Sequence, residues 1–225
     1  MNGLPVLLFL ILIAALPALL LFLWYRLARC PLSPGWFLVF LFGGASSMFL
    51  ALLLQRLIPV LSGPAAGPLG GIGSVIFNLF CRIAATEELS RFLVFMILFP
   101  LARIRGENAV LRGSVAGLAA GLGFALMESA AYGASDMGIA LLRTVTSAPL
   151  HGACGARVGA AAAGLGEGPL PVTMRVLSAI AIHGMYNFMI LGSRILAIMA
   201  ILAAICALAS SVLSIRAQLK APLAS

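Results

Sequence analysis

The chain is divided into apolar runs that are each long enough to cross a bilayer, and this restricts the backbone before any single residue is considered. Inside hydrocarbon every N–H and C=O must be satisfied within the protein, so a chain of such runs folds as a bundle of helices. About 20 residues, each rising about 1.5 Å, cross the apolar core. We place spans near residues 4–25, 36–54, 73–99, 113–133, 139–163, 173–192 and 195–215. Charged residues make up only 9% of the 225, and hydrophobic ones 63%, against about 25% charged in a soluble domain. The expectation is an all-α, polytopic transmembrane bundle of about seven spans around a polar cavity. It forms one integral membrane domain, 1–225, with its functional core in the four spans between about 73 and 192.

The 14 basic residues outnumber the 6 acidic ones. Their placement explains this without nucleic acid. Arg26, Arg29, Arg103, Arg105, Arg112, Arg157, Arg175, Arg216 and Lys220 fall on one side of the spans, and only Arg56, Arg143 and Arg194 on the other. Basic loops stay in the cytoplasm, so the N-terminus is expected outside the cell membrane and the C-terminus in the cytoplasm. The first run has no basic region ahead of it and ends at Arg26 and Arg29, which reads as a retained span rather than a cleaved signal. Cys30, Cys81, Cys154 and Cys206 form no CxxC pair, so neither disulfides nor a thiolate metal site is expected. Cys154, one turn after His151, reads as a packed small residue. The Pro/Gly-rich segment 62–73 reads as an outer connector, with a flap over an outward-opening site as the alternative.

Against this apolar background, Glu87, Glu88, Glu128, His151 and His183 lie inside spans. A charge at the bilayer centre costs about 2.5–3.5 kcal/mol on insertion scales, so such residues normally face a cavity and do chemistry there. All five fall between the midplane and the outer leaflet. Gly113, Gly117 and Gly121 recur every fourth residue, as do Gly155 and Gly159. Small-residue stripes let helix backbones approach closely, which would carry Glu128 and His151 toward their neighbours. Pro149 removes a backbone donor beside His151 and should loosen its helix.

The spacing of these residues suggests roles. On a helix Arg91 can reach Glu87 or Glu88. One guanidinium cannot neutralise two carboxylates, and the one left over suits a general base; a purely structural ion pair is the alternative. Phe124 stands four residues before Glu128. His183 and Asn187, four apart, share a helix face and could donate to a developing oxyanion. Glu128, His151 and His183 could instead hold zinc. A silent scaffold and a proton-coupled transporter would also keep polar residues at this depth. There is no HExxH zinc motif, no GxSG serine motif and no GxGD aspartate motif; Asp136 falls in a loop.

In order and spacing, the paired glutamates with Arg91, Phe124-x-x-x-Glu128, His151, and His183 with Asn187 resemble the PrsW-type branch of the CAAX-protease-like (CPBP) family of intramembrane proteases. The resemblance runs from about residue 77 to 190. Arg91 stands where lysine is commoner, and Ser129 where many relatives have Asn. The resemblance implies a glutamate-dependent endopeptidase that cuts membrane-anchored proteins without a cofactor. Glu87 would activate a water with His151, and His183 and Asn187 would stabilise the oxyanion. Glu88 and Arg91 would orient Glu87, and Glu128 would help hold the water or a proton.

Overall fold

A computed structural model describes residues 3–60, 71–133 and 137–220. Among them there is no strand. The helices are α1 (Gly3–Leu27), α2 (Pro34–Leu57), α3 (Ile72–Ile76), α4 (Ala85–Leu101), α5 (Ala109–Gly133), α6 (Met137–Ala163), α7 (Pro169–Ile190) and α8 (Arg194–Lys220). Each expected span therefore has its helix. The protein is a transmembrane helical bundle. The connector reading of 62–73 falls mostly outside the described residues, with Ile72 and Gly73 opening α3, and Asp136 lies outside them too.

The third span departs from a plain helix. Between α3 and α4 the chain widens into a π-helical stretch, Phe77–Ala84. Arg82 Nε donates to the Ile58 carbonyl beyond α2 at 3.1 Å, and the Thr86 hydroxyl donates to the Arg82 carbonyl at 2.6 Å. Wide turns of this kind are frequent beside functional sites, and this one ends just before Glu87. The start of α2 is locally encoded. Ser33 accepts a bond from the Trp36 N–H, and Pro34 opens the helix where no donor is required.

Three helices of the described residues are long and apolar enough to cross a membrane, Pro34–Leu57, Ala109–Tyr132 and Arg194–Lys220. The third span is shortened by its π-helical stretch, and α6 and α7 carry buried polar groups that lower their hydropathy. Burial ranks the helices. In its apolar window α5 is 78% buried and α8 only 17%, so α5 is the axis of the bundle and α8 a lipid-facing wall. The glycine stripes explain this. A Cβ on Gly113, Gly117 or Gly121 would collide with the α6 backbone at Gly159, Gly155 or His151, and one on Gly155 or Gly159 would collide with α5 in return. Gly44 and Gly123 do the same for α2 against α5, a close approach that has no periodic signal.

Two arginines expected at loop ends lie inside α6. Arg143 is in its early turns. Arg157 is well before its end, bonded to Ser210 and Ser211 of α8.

Candidate active site

The site is assembled from four helices, α4 to α7. Glu87, Glu88 and Arg91 come from α4, Phe124 and Glu128 from α5, His151 from α6, and His183 and Asn187 from α7. The ambiguity of the paired glutamates resolves here. Arg91 Nη2 lies 2.5 Å from Glu88 Oε1, and both side chains are fully buried. Toward Glu87 it offers only Nε, which donates to the backbone carbonyl at 3.2 Å. The guanidinium also donates to the His151 carbonyl at 3.4 Å and stacks on Phe124, 4.6 Å from the ring centre. Thus Phe124 is a floor for Arg91 and lies 5.0 Å from the His151 ring.

Each histidine is held by a different carboxylate. His183 Nδ1 lies 2.7 Å from Glu88 Oε1, and His151 Nε2 lies 2.8 Å from Glu128 Oε2. A carboxylate on one ring nitrogen fixes the tautomer and leaves the other nitrogen with its lone pair. Those two nitrogens, His183 Nε2 and His151 Nδ1, remain for Glu87. His183 Nε2 is 3.6 Å from Glu87 Oε2, and His151 Nδ1 and Glu87 Oε2 are buried without a hydrogen-bond partner. The rings of His151 and His183 stand edge-on, 5.0 Å apart.

Sequence reading missed Arg143. Its Nη2 is 2.5 Å from Glu128 Oε2 and 3.3 Å from the Ser147 hydroxyl, and the guanidinium lies 4.2 Å from the centre of the Tyr132 ring. A signal was present. Arg143, Ser147 and His151 are spaced by fours, which puts them on one face of α6. The two guanidinium groups are therefore taken by Glu88 and Glu128. Glu87 is the carboxylate without one.

Glu87, Phe124, Glu128, Arg143 and Asn187 line a cavity of about 450 Å³. Met48, Ala51 and Leu52 of α2, with Ile83 and Ile190, form its apolar wall, and Gln55 lies beside them. It opens at the end of the bundle that holds Gln55, Tyr132 and Leu191.

Residues 33–213 match the PrsW-protease family, described as PrsW family intramembrane metalloprotease. The chain belongs to this family. Neither curated proteins nor solved structures gave a match. This member of the family is thus an intramembrane protease. The match extends beyond the four spans that carry the sequence motifs and includes α2, which supplies the cavity's apolar wall.

The metalloprotease description calls for a donor set, and the residues fit one. Glu87, His151 and His183 each offer an atom, all within 4.8 Å of one another. Two imidazoles and a carboxylate are a known zinc set, and an outer carboxylate behind each histidine is its usual support. The set differs by one residue from Glu128, His151 and His183, the set that the sequence offers only as an alternative to a metal-free site. Glu128 is turned toward Arg143 and the far nitrogen of His151, and Glu87 stands in its place.

Proposed function

We propose that this protein is a glutamate-dependent endopeptidase that cleaves membrane-anchored protein substrates within the bilayer, with Glu87 as the carboxylate that activates water. The observation that carries this reading is the pairing pattern. Glu88 and Glu128 are each held by an arginine and a histidine, whereas Glu87 has no arginine on its carboxylate, and its Oε2, 3.6 Å from His183 Nε2, accepts no hydrogen bond.

The catalytic core is α4–α7. A substrate segment lies extended in the cavity, against the apolar wall of α2. Glu87 takes a proton from a water held near His151 and His183, and the water oxygen bonds to the scissile carbonyl carbon. Charge develops on the carbonyl oxygen, where Asn187 donates, joined by His183 from Nε2 in its imidazolium form, since Nδ1–H is held by Glu88. Collapse breaks the C–N bond, and the proton on Glu87 passes to the leaving nitrogen. Glu88 with Arg91 positions His183, and Glu128 with Arg143 positions His151. The cavity mouth faces outward, with the N-terminus outside and the C-terminus in the cytoplasm; reporter fusions at the two ends test this, and signals from the same side would overturn it.

A second reading is favoured by the Glu87–His151–His183 cluster, which would hold a divalent ion. Such an ion, when bound, polarises a carbonyl and makes water nucleophilic at neutral pH. One experiment separates the two. The purified protein is exhaustively chelated and assayed on a single-span substrate, beside Glu87→Ala, with bound zinc quantified. The carboxylate reading expects cleavage to survive chelation. Stoichiometric zinc, with activity lost on its removal and restored on its return, would establish the metal reading. Equal cleavage by Glu87→Ala would overturn both.

A further inference from the structure

At the opposite end of the bundle a second polar pocket, about 290 Å³, lies among α5, α6, α7 and α8. Arg157, Arg175, Ser210, Ser211, Ser214 and Gln218 line it. Arg157 is within about two turns of the end of α6, and Arg175 within about two turns of the start of α7, so both lie about 9 Å inside the ends of their helices. A charge at that depth in a bilayer is costly without a counter-charge.

Arg157 has none. Its guanidinium donates only to neutral oxygens: the Ala153 carbonyl at 3.0 Å, the Ala207 carbonyl at 3.5 Å, and the hydroxyls of Ser211 at 2.8 Å and Ser210 at 3.0 Å. Among the described residues no carboxylate is within ion-pair distance of it. Arg175 is paired with Glu167 at 2.6 Å, and that carboxylate is 42% exposed at the rim. The pocket therefore keeps a net positive charge. Ser210 and Ser211 aim the Arg157 fork, and Ser214 accepts from Gln218 at 3.4 Å, which leaves its own proton to give. Two guanidinium groups and a hydroxyl lining one pocket at this depth match a phosphate group.

We propose that this pocket binds the phosphate of an anionic phospholipid. The source is the membrane rather than solution, because the arginines lie inside the helix ends. The adjoining α8 also exposes Leu202, Ile205 and Leu213, along which acyl chains can run. Basic pockets between helices at the basic end of a membrane protein recognise such headgroups. The site is separate from the Glu87 cavity and does not depend on the proteolytic reading.

The test is lipid retention. The full chain is purified from mixed micelles of phosphatidylglycerol and phosphatidylcholine, and retained lipid is quantified by mass spectrometry. Wild type should retain phosphatidylglycerol in preference, and Arg157→Gln should lower that preference about five-fold, the order for one arginine at an anionic leaflet. Arg175→Gln and Ser214→Ala do not tie α6 to α8, so they carry the test should Arg157→Gln fail to fold; each should weaken retention. Arg216→Gln, outside the pocket, should leave it unchanged. Millimolar inorganic phosphate should not displace the lipid. Equal retention of both lipids by wild type, an unchanged preference in the pocket variants, an equal loss in Arg216→Gln, or displacement by phosphate would each overturn the proposal.

Discussion

The site contains the same three-part unit twice. Arg91–Glu88–His183 and Arg143–Glu128–His151 each join a guanidinium, a carboxylate and an imidazole, and the two imidazoles meet at Glu87. They differ in burial. Arg91 and Glu88 are fully buried, whereas Arg143 and Glu128 keep 22% and 15% of their side-chain surface at the cavity mouth. A sealed ion pair whose partner is deleted leaves a naked charge that water cannot reach, while a pair at the mouth can be rehydrated. The inner unit should therefore act as framework and the outer one as an adjustable support.

The strongest perturbation is at the point where the units meet. Glu87→Gln keeps shape and removes the base, and turnover should fall by about 10²–10⁴ with expression unchanged, read as cleavage of a single-span substrate. Near wild-type cleavage would detach both units from catalysis. Next is Arg91→Met, which strands Glu88 in the interior. Thermal unfolding in detergent should show a loss of about 3–5 kcal/mol, and a stable Arg91→Met protein would mean the inner unit is not framework.

Asn187→Ala tests a donor that belongs to neither unit. Turnover should fall about 10²–10³ with substrate affinity held, because an oxyanion donor acts on the transition state. A rise in KM alone would instead make Asn187 a substrate-binding group. The smallest effect is expected at the outer unit. Arg143→Gln should cost less than about 1 kcal/mol of stability and lower activity about 10–100-fold through the orientation of His151. Combined with Glu128→Gln, the losses should be less than additive, since both act on the same histidine. Additive losses would separate Arg143 from Glu128 in the positioning of His151.

Part of this was legible without coordinates. Arg91 with Glu88 is a three-residue spacing on one helix, and the α5 and α6 stripes have a period of four. Both are local patterns that helical geometry converts into a face. Arg143 with Ser147 and His151 obeys the same rule, but was hidden by its place near the start of a helix, where an arginine reads as a topology marker. The lone glycines Gly44 and Gly123 left no pattern, because a single close approach needs no repeat.

The sequence by itself determined the helical bundle, since apolar runs in hydrocarbon have no other way to satisfy their backbones. It also determined which residue types would be driven into a common interior. Only the tertiary structure decided who pairs with whom. Glu88 meets His183 across 95 residues and Glu128 meets His151 across 23. Such pairings depend on how each helix is rotated about its axis. The π-helical stretch Phe77–Ala84 sets that rotation for α4. One residue more or less in it turns the following helix by about 100° and would put one of the two glutamates in the other's facing while turning the second out of the site. Composition and spacing are blind to that angle, because the π-helical stretch and the packing of α4 against α2 and α6 set it rather than anything within α4.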